Sequence, residues 1–157
     1  KLVAICSIYI LTNCHLSKTE FYGLINRLPE PFLIIGDFSA HNRLWGDSQT
    51  NFRGRLIETF PVMSDVCLFN RKAPTYYNIA HNSYSSIDLA LGSSILVSYL
   101  EWNVIENPFG SDHFPVTLNL LTQHDIPPHV PRWKLDSADW KHCKESTYHK
   151  ILYVILA

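Results

Sequence analysis

The sequence predicts an α/β layered fold, and two observations carry that expectation. Residues 2–36 read as strand, helix and strand in succession, the repeating unit of layered α/β proteins. Apolar runs of strand length then recur, and three of them hold an aspartate within them or beside one end: Asp37, Asp88 and Asp112. The length, 157 residues, is that of one domain, large enough to bury roughly two-thirds of its unfolded surface.

The first strand runs from Leu2 to Ile10, with Val3, Ile5, Ile8 and Ile10 set among small residues and Tyr9 as its polar exception. A loop follows from Leu11 to His15. Ser17-Lys18-Thr19-Glu20 has the form of a capping box, and Phe21, Leu24, Ile25 and Leu28 then recur at helical spacing. Pro29 and Pro31 end that helix. Phe32-Leu33-Ile34-Ile35-Gly36 is an unbroken apolar run, the pattern of a strand buried on both faces, and it delivers Asp37 to the rim of the sheet. Two readings of Asp37 stay open: a catalytic carboxylate, or an Asp that closes a strand and caps a turn.

Phe52 to Met63 has a helical pattern around Leu56, Ile57 and Phe60, with Pro61 inside it, so the helix is either short or kinked. Val66 to Phe69 is a short strand, Asn70 to Pro74 a turn, and Thr75-Tyr76-Tyr77 resumes extended structure. The run Ser85 to Gly92 is a second apolar strand, with Asp88 in its middle. A buried carboxylate needs a partner, and His113 is the natural one. That pair is either structural or catalytic. Tyr99 to Ile105 and Phe114 to Leu120 complete the strands, the second entered through the loop Gly110-Ser111-Asp112-His113. Past Gln123, Pro127, Pro128 and Pro131 mark a linker, and Ser137 has the place of an N-cap. The expected division is a domain over residues 1–122 and a Pro-rich linker and tail over 123–157.

Composition excludes several classes. Net charge is −1, which argues against a strongly basic nucleic-acid-coating protein, although not against a nuclease whose carboxylates hold a cation. The four cysteines, Cys6, Cys14, Cys67 and Cys143, include no CxxC pair, so a structural zinc site is not expected, and Cys6 and Cys67 read as small core residues. There is no GxSxG elbow and no P-loop, and Ser111-Asp112-His113 cannot form a triad from adjacent positions. His15, His81, His124 and His129 read as surface residues. The C-terminal apolar run, Ile151 to Ala157, is too short to span a bilayer, so no membrane partner is expected. The expectation from these features is a reducing intracellular protein that begins in mid-strand.

Four separated motifs carry a family resemblance. Gly36-Asp37-Phe38-Ser39-Ala40-His41, Asn51-Phe52-Arg53-Gly54, Ser86-Ile87-Asp88-Leu89 and Ser111-Asp112-His113-Phe114-Pro115 resemble, in order and spacing, the endonuclease/exonuclease/phosphatase family. The run His41-Asn42-Arg43-Leu44-Trp45-Gly46 and the tail Pro131-Arg132-Trp133-Lys134 are similar to the apurinic-type endonuclease domain of jockey-like non-LTR retrotransposons. The resemblance implies a four-layer α/β sandwich whose first strand and helix precede Lys1. It implies DNA nicking by phosphodiester hydrolysis with magnesium or manganese.

The same resemblance assigns residues. His113 would orient or activate water, held by Asp88, and Asp37 would act in proton transfer. Tyr9 and Ser39 would work at the phosphate, with Ser39 standing where the family's Gly-Asp-x-Asn has Asn. Asp112 would sit beside the cation. Asn13, His41, Asn42, Arg43, Trp45 and Thr75 would contact substrate, Trp45 by stacking on a base unless it simply packs. The implied partners are DNA and a reverse transcriptase domain of the same polyprotein, with a nuclear location when acting on DNA. The alternatives are a non-catalytic remnant that keeps the fold as a binding surface, and a phosphatase of the same family.

Overall fold

The computed structural model describes residues 3–121 and 152–156. Its centre is a five-stranded mixed sheet in the order β3-β6-β2-β1-β9. Here β1 is Val3–Tyr9, β2 Phe32–Asp37, β3 Val66–Leu68, β6 Asp88–Ser93 and β9 Leu152–Leu156. Strands β1 and β2 run parallel, as the strand–helix–strand reading requires, and their connection holds helix α1, Lys18–Ile25. The capping box forms: the Ser17 hydroxyl accepts from the Glu20 N–H, and the Glu20 carboxylate accepts from the Ser17 N–H at 2.9 Å. The Ser17 hydroxyl, which donates to the Glu20 carboxylate at 2.6 Å, and then the Ser17 N–H hold that carboxyl below its usual value, although the side chain is fully exposed.

The apolar run of β2 is explained by burial on both sides. Phe32 and Ile34, with Leu89 and Leu91 of β6, face a core built with Phe21, Leu24 and Ile25 of α1 and with Phe38, Ile57 and Phe60. Leu33 and Ile35 face the other way, with Ala90, onto Trp102, Leu100, Val104, Val116 and Leu118. The latter belong to a two-stranded antiparallel sheet of β7, Leu100–Val104, and β8, Val116–Leu120. Among the described residues there are thus three layers: helices, the five-stranded sheet, and the β7–β8 pair. Gly36 fits the sheet centre because its neighbour comes very close. A Cβ there would fall 1.9 Å from the Ile8 carbonyl oxygen, and its φ is +143°.

Pro61 settles the choice between a short and a kinked helix by splitting it. Helix α2 covers Phe52–Glu58, Thr59 interrupts, and α3 covers Phe60–Met63 with the proline in its first turn, where no intrahelical N–H is lost. Asn51 caps α2, its side-chain oxygen accepting from the Gly54 N–H at 2.7 Å. One short element escapes the sequence patterns, and the extended stretch expected at Thr75-Tyr76-Tyr77 gains a partner strand. Arg43–Trp45 forms a single 3-10 turn, and Tyr76–Asn78 pairs with Ser83–Ser85 as a β4–β5 hairpin. Leu152–Leu156, grouped with the tail on sequence grounds, pairs antiparallel with β1 as β9. The linker prolines, the helix start at Ser137, Cys143, His124 and His129 lie outside the described residues. Among the described residues no helix is long and apolar enough to cross a membrane.

Candidate active site

Strand register sets the site. Tyr9 of β1 is paired with Asp37 of β2, and Asp37 is paired with Asp88 of β6. Three polar side-chain positions therefore lie in a row across the same end of three adjacent strands. Asp37 and Tyr9, together with Ser39, His41, Asp112 and His113, line one open cleft of about 970 Å³. Tyr9 projects into solvent, 70% exposed.

Asp37 accepts from the Ser39 N–H at 2.7 Å and from the Ser39 hydroxyl at 3.3 Å. Burial pushes its carboxyl above the usual carboxylate value and the nearby Asp88 charge adds to this; the Ser39 bonds and His113 pull the other way. Ser39 holds a left-handed backbone, φ +44°, uncommon for a residue with a side chain.

Asp88 and His113 meet as the sequence predicts: Oδ2 of Asp88 lies 3.0 Å from Nδ1 of His113. With Nδ1 turned to the carboxylate, Nε2 is the nitrogen that His113, on the cleft wall, has left for other partners. Tyr76 packs its ring 4.8 Å from the His113 ring, and the two residues form an isolated antiparallel bridge. The Tyr77 N–H donates to the Asp112 carbonyl at 2.8 Å, which ties the loop bearing both Asp112 and His113 to the β4–β5 hairpin.

Four of the expected substrate contacts have other tasks. Trp45 is 0% exposed and donates its indole N–H to the Ala40 carbonyl at 3.1 Å, so it packs in the core and cannot stack on a base. Asn42 is also buried; its oxygen accepts from the Leu44 N–H and its amide donates to the Gly54 carbonyl and Glu58. Thr75 is 0% exposed, and its hydroxyl oxygen accepts from the N–H groups of Ile87 and Asp88 at 3.1 and 3.0 Å. It positions Asp88 and is closed to substrate. Arg43 lies outside the cleft wall, its Nε donating to the Ser48 carbonyl at 3.2 Å. Asn13 sits exposed between Thr12 and Cys14, both on the cleft wall. His15 and His81, read as plain surface residues, line the cleft, and His15 packs on Phe52 at 5.6 Å between ring centroids.

His41 keeps its place on the cleft wall and gains a partner the sequence did not assign. Its Nδ1 lies 3.4 Å from Oδ1 of the buried Asp47, which also accepts from the Ser86 N–H at 3.1 Å. Gly54 makes this approach of chain segments feasible, since a Cβ there would meet the His41 carbonyl oxygen at 1.8 Å. Arg53, next to it, is the residue sequence reasoning missed. It is 7% exposed and donates to main-chain carbonyls on both rims of the cleft, including Phe38 at 2.7 Å and Cys14 at 2.7 Å. The signal available was an Arg on the apolar side of a helix, which implies a buried charge with designated acceptors.

The donor set in the cleft is carboxylate oxygen, the kind preferred by hard divalent cations. Among the described residues, no group of three or more His, Cys, Asp or Glu is close enough to enclose a metal ion. Magnesium is often held by one or two carboxylates, water and substrate phosphates, and an open site with Asp112 at its wall fits that mode.

A mixed sheet that brings carboxylates and an Asp-supported histidine to one open cleft defines the class: an α/β sandwich of the endonuclease/exonuclease/phosphatase type. The chain belongs to the family described as endonuclease-reverse transcriptase, whose model matches residues 3–117. It is similar to the probable RNA-directed DNA polymerase from transposon X-element of Drosophila melanogaster, 28% identical over 102 residues, 64% of this chain and 11% of that protein. It is similar also to the probable RNA-directed DNA polymerase from transposon BS of the same organism, 26% identical over 117 residues, 74% of this chain and 13% of that protein. The chain thus spans about a tenth of the length of these relatives. In fold it is similar to the endonuclease domain of TRAS1, a telomere-specific non-LTR retrotransposon, with TM-score 0.58, 21% identity, and coverage of 68% of this chain and 51% of that one.

Proposed function

We propose that this domain nicks DNA by metal-assisted hydrolysis of a phosphodiester, as the endonuclease part of a non-LTR retrotransposon polyprotein. The observation that carries the reading is the Asp88–His113 pair at 3.0 Å, set at the strand end beside Asp37. An imidazole with its Nδ1–H donated to a carboxylate has an Nε2 lone pair ready to take a proton from water. Asp88 holds His113 in that orientation. Asp37 handles a second proton, for which a carboxyl pushed up by burial is suited. The Tyr9 hydroxyl and the Ser39 hydroxyl contact non-bridging oxygens of the phosphate. Asp112 would hold magnesium or manganese together with the substrate phosphate; when bound, the cation neutralises charge that builds up on the phosphoryl oxygens. Asn13 and His41 meet the flanking DNA.

The same reading places a reverse transcriptase domain in the intact polyprotein and action in the nucleus, and takes residues 1–122 as the body of the domain, to whose sheet Leu152–Leu156 returns as β9. The test is nicking of supercoiled plasmid with magnesium or manganese, with and without chelator. Nicking that needs the cation supports the reading, and undiminished cleavage in chelator rejects the metal-assisted route. Duplex binding without nicking in either metal would make the domain a non-catalytic binding surface. Release of phosphate from small monoesters without nicking would favour a phosphatase.

A further inference from the structure

The cleft has an electrostatic problem. Asp37 and Asp112 lie on its wall, Asp88 stands behind it, and the proposed substrate is a polyanion. Among the described residues that line the cleft, Arg53 is the sole lysine or arginine. It is buried, at 7% exposure, on the first turn of α2. No described carboxylate comes within 4.0 Å of it.

Its donors are committed to carbonyl oxygens. Nη1 donates to Phe38 at 2.7 Å and reaches Ile10 and Ser39 at 3.5 Å. Nη2 donates to Cys14 at 2.7 Å, Leu11 at 3.0 Å and Thr12 at 3.4 Å. One guanidinium therefore joins the turn after Asp37 to the loop after Tyr9. Burial draws its pKa below the ordinary arginine value, with Cys14 and Asp37 pushing the other way. An arginine still keeps its proton at neutral pH.

We propose that Arg53 is the fixed positive charge of the cleft: from a position set by its hydrogen bonds to both rims it draws the anionic substrate by its field, without touching the substrate. The proposal deepens the nuclease reading and rests on it for the identity of the anion. A buried cation without an acidic partner is costly to hold, and carbonyl dipoles screen it only in part, so its field still reaches the cleft. A merely structural strut would be served by neutral donors or by a paired charge.

Two variants of the full chain separate charge from geometry. Arg53→Lys keeps the charge and loses the fork, whereas Arg53→Gln keeps a neutral donor and loses the charge. The probes are inorganic phosphate and a short duplex oligonucleotide, read by calorimetric or fluorescence titration. A unit charge acting through a partly screened interior is worth about tenfold in anion affinity. Arg53→Gln should weaken phosphate binding by about tenfold or more and flatten the salt dependence of duplex binding. Arg53→Lys should hold phosphate affinity within about threefold of the unaltered chain.

Phosphate affinity unchanged in Arg53→Gln, or lowered alike in both variants, overturns the proposal. So does an unaltered chain that binds neither probe. An unaltered chain that binds phosphate, with the Arg53 dependence given, but not duplex supports the role of Arg53 and rejects DNA as its anion. Should Arg53→Gln fail to fold, Arg53→Lys decides: affinity near that of the unaltered chain supports the charge, and a loss of about tenfold overturns it.

Discussion

Asp37 and Asp88 stand opposite each other as the last register pair of the β2–β6 ladder, so two carboxylates share one strand end. Register alone dictates this, because a slip of one residue would turn every side chain of β2 to the other face and send its aspartate away from the cleft. The pair is unequal. Asp88 has His113, whereas Asp37 has Ser39 and a desolvated setting that raises its carboxyl above the ordinary value of 3.8.

A stability prediction follows from that raised value. Between 3.8 and the folded value, native Asp37 binds more proton than unfolded Asp37 does, so ionisation through this window lowers stability as pH rises. Asp37→Asn has no charge to desolvate, and its side-chain oxygen still accepts from the Ser39 N–H. Its melting temperature should match the parent below pH 3.8, exceed it increasingly through the window, and stay above it at neutral pH while nicking is lost. Thermal denaturation across pH checks it. A gap that widens toward acid would contradict the burial account.

The second prediction concerns the imidazole. His113→Ala removes the proton acceptor and should lower nicking by about 10²–10⁴-fold. Asp88→Asn preserves shape but turns an amide toward Nδ1, favouring the wrong tautomer, and should cost a comparable factor. Both proteins should remain folded by circular dichroism. Comparing nicking rates of the two with that of the double variant checks that they act as a unit: the double should be little worse than either single.

Thr75 gives the third. Its hydroxyl oxygen satisfies two main-chain N–H groups, those of Ile87 and Asp88, inside the core. Thr75→Val keeps the shape and orphans both donors, at about 1–3 kcal/mol each. Thr75→Ser restores the oxygen and should recover most of the lost stability. Denaturant melts of the pair measure the difference. If Val is as stable as Thr, the two donors have found other acceptors and Thr75 does not hold Asp88.

How much of this was legible in the sequence depended on range. The β1–α1–β2 unit, the capping box and the buried run of β2 are local patterns, and each is present. The convergence of Asp88 with His113 was legible because a carboxylate in an apolar strand demands a partner, and few candidates existed. Burial of the polar groups was not legible, and for Trp45 packing was one of two open readings. Trp45, Asn42 and Thr75 sit among or beside motif residues, but adjacency in sequence is not adjacency to substrate: the 3-10 turn and the β4–β5 hairpin fold them inward. Arg53 was missed for the converse reason. Its acceptors are carbonyls from residues 10–14 and 38–39, and main-chain acceptors leave no mark on side-chain identity.

Ser39 carries the last prediction. Its φ of +44° is enforced from three sides: Asp37 accepts from its N–H, and Asn51 and Arg53 donate to its carbonyl at 3.1 and 3.5 Å. Asn adopts the left-handed region more readily than Ser, because its short amide can bond locally there. Ser39→Asn should therefore raise the melting temperature slightly, even after loss of the hydroxyl bond to the Ile10 carbonyl at 3.2 Å. The longer side chain also carries an amide donor toward the cleft, where charge builds up on the phosphate in the proposed reaction. One such donor in a preorganised site is worth roughly a hundredfold in rate. Nicking should rise accordingly, with melting temperature and rate measured on the same preparation. A higher melting temperature with an unchanged rate would show that the backbone was eased while the serine hydroxyl already served the phosphate. A lower melting temperature would show that the bond to Ile10, and not the left-handed backbone, governs this turn.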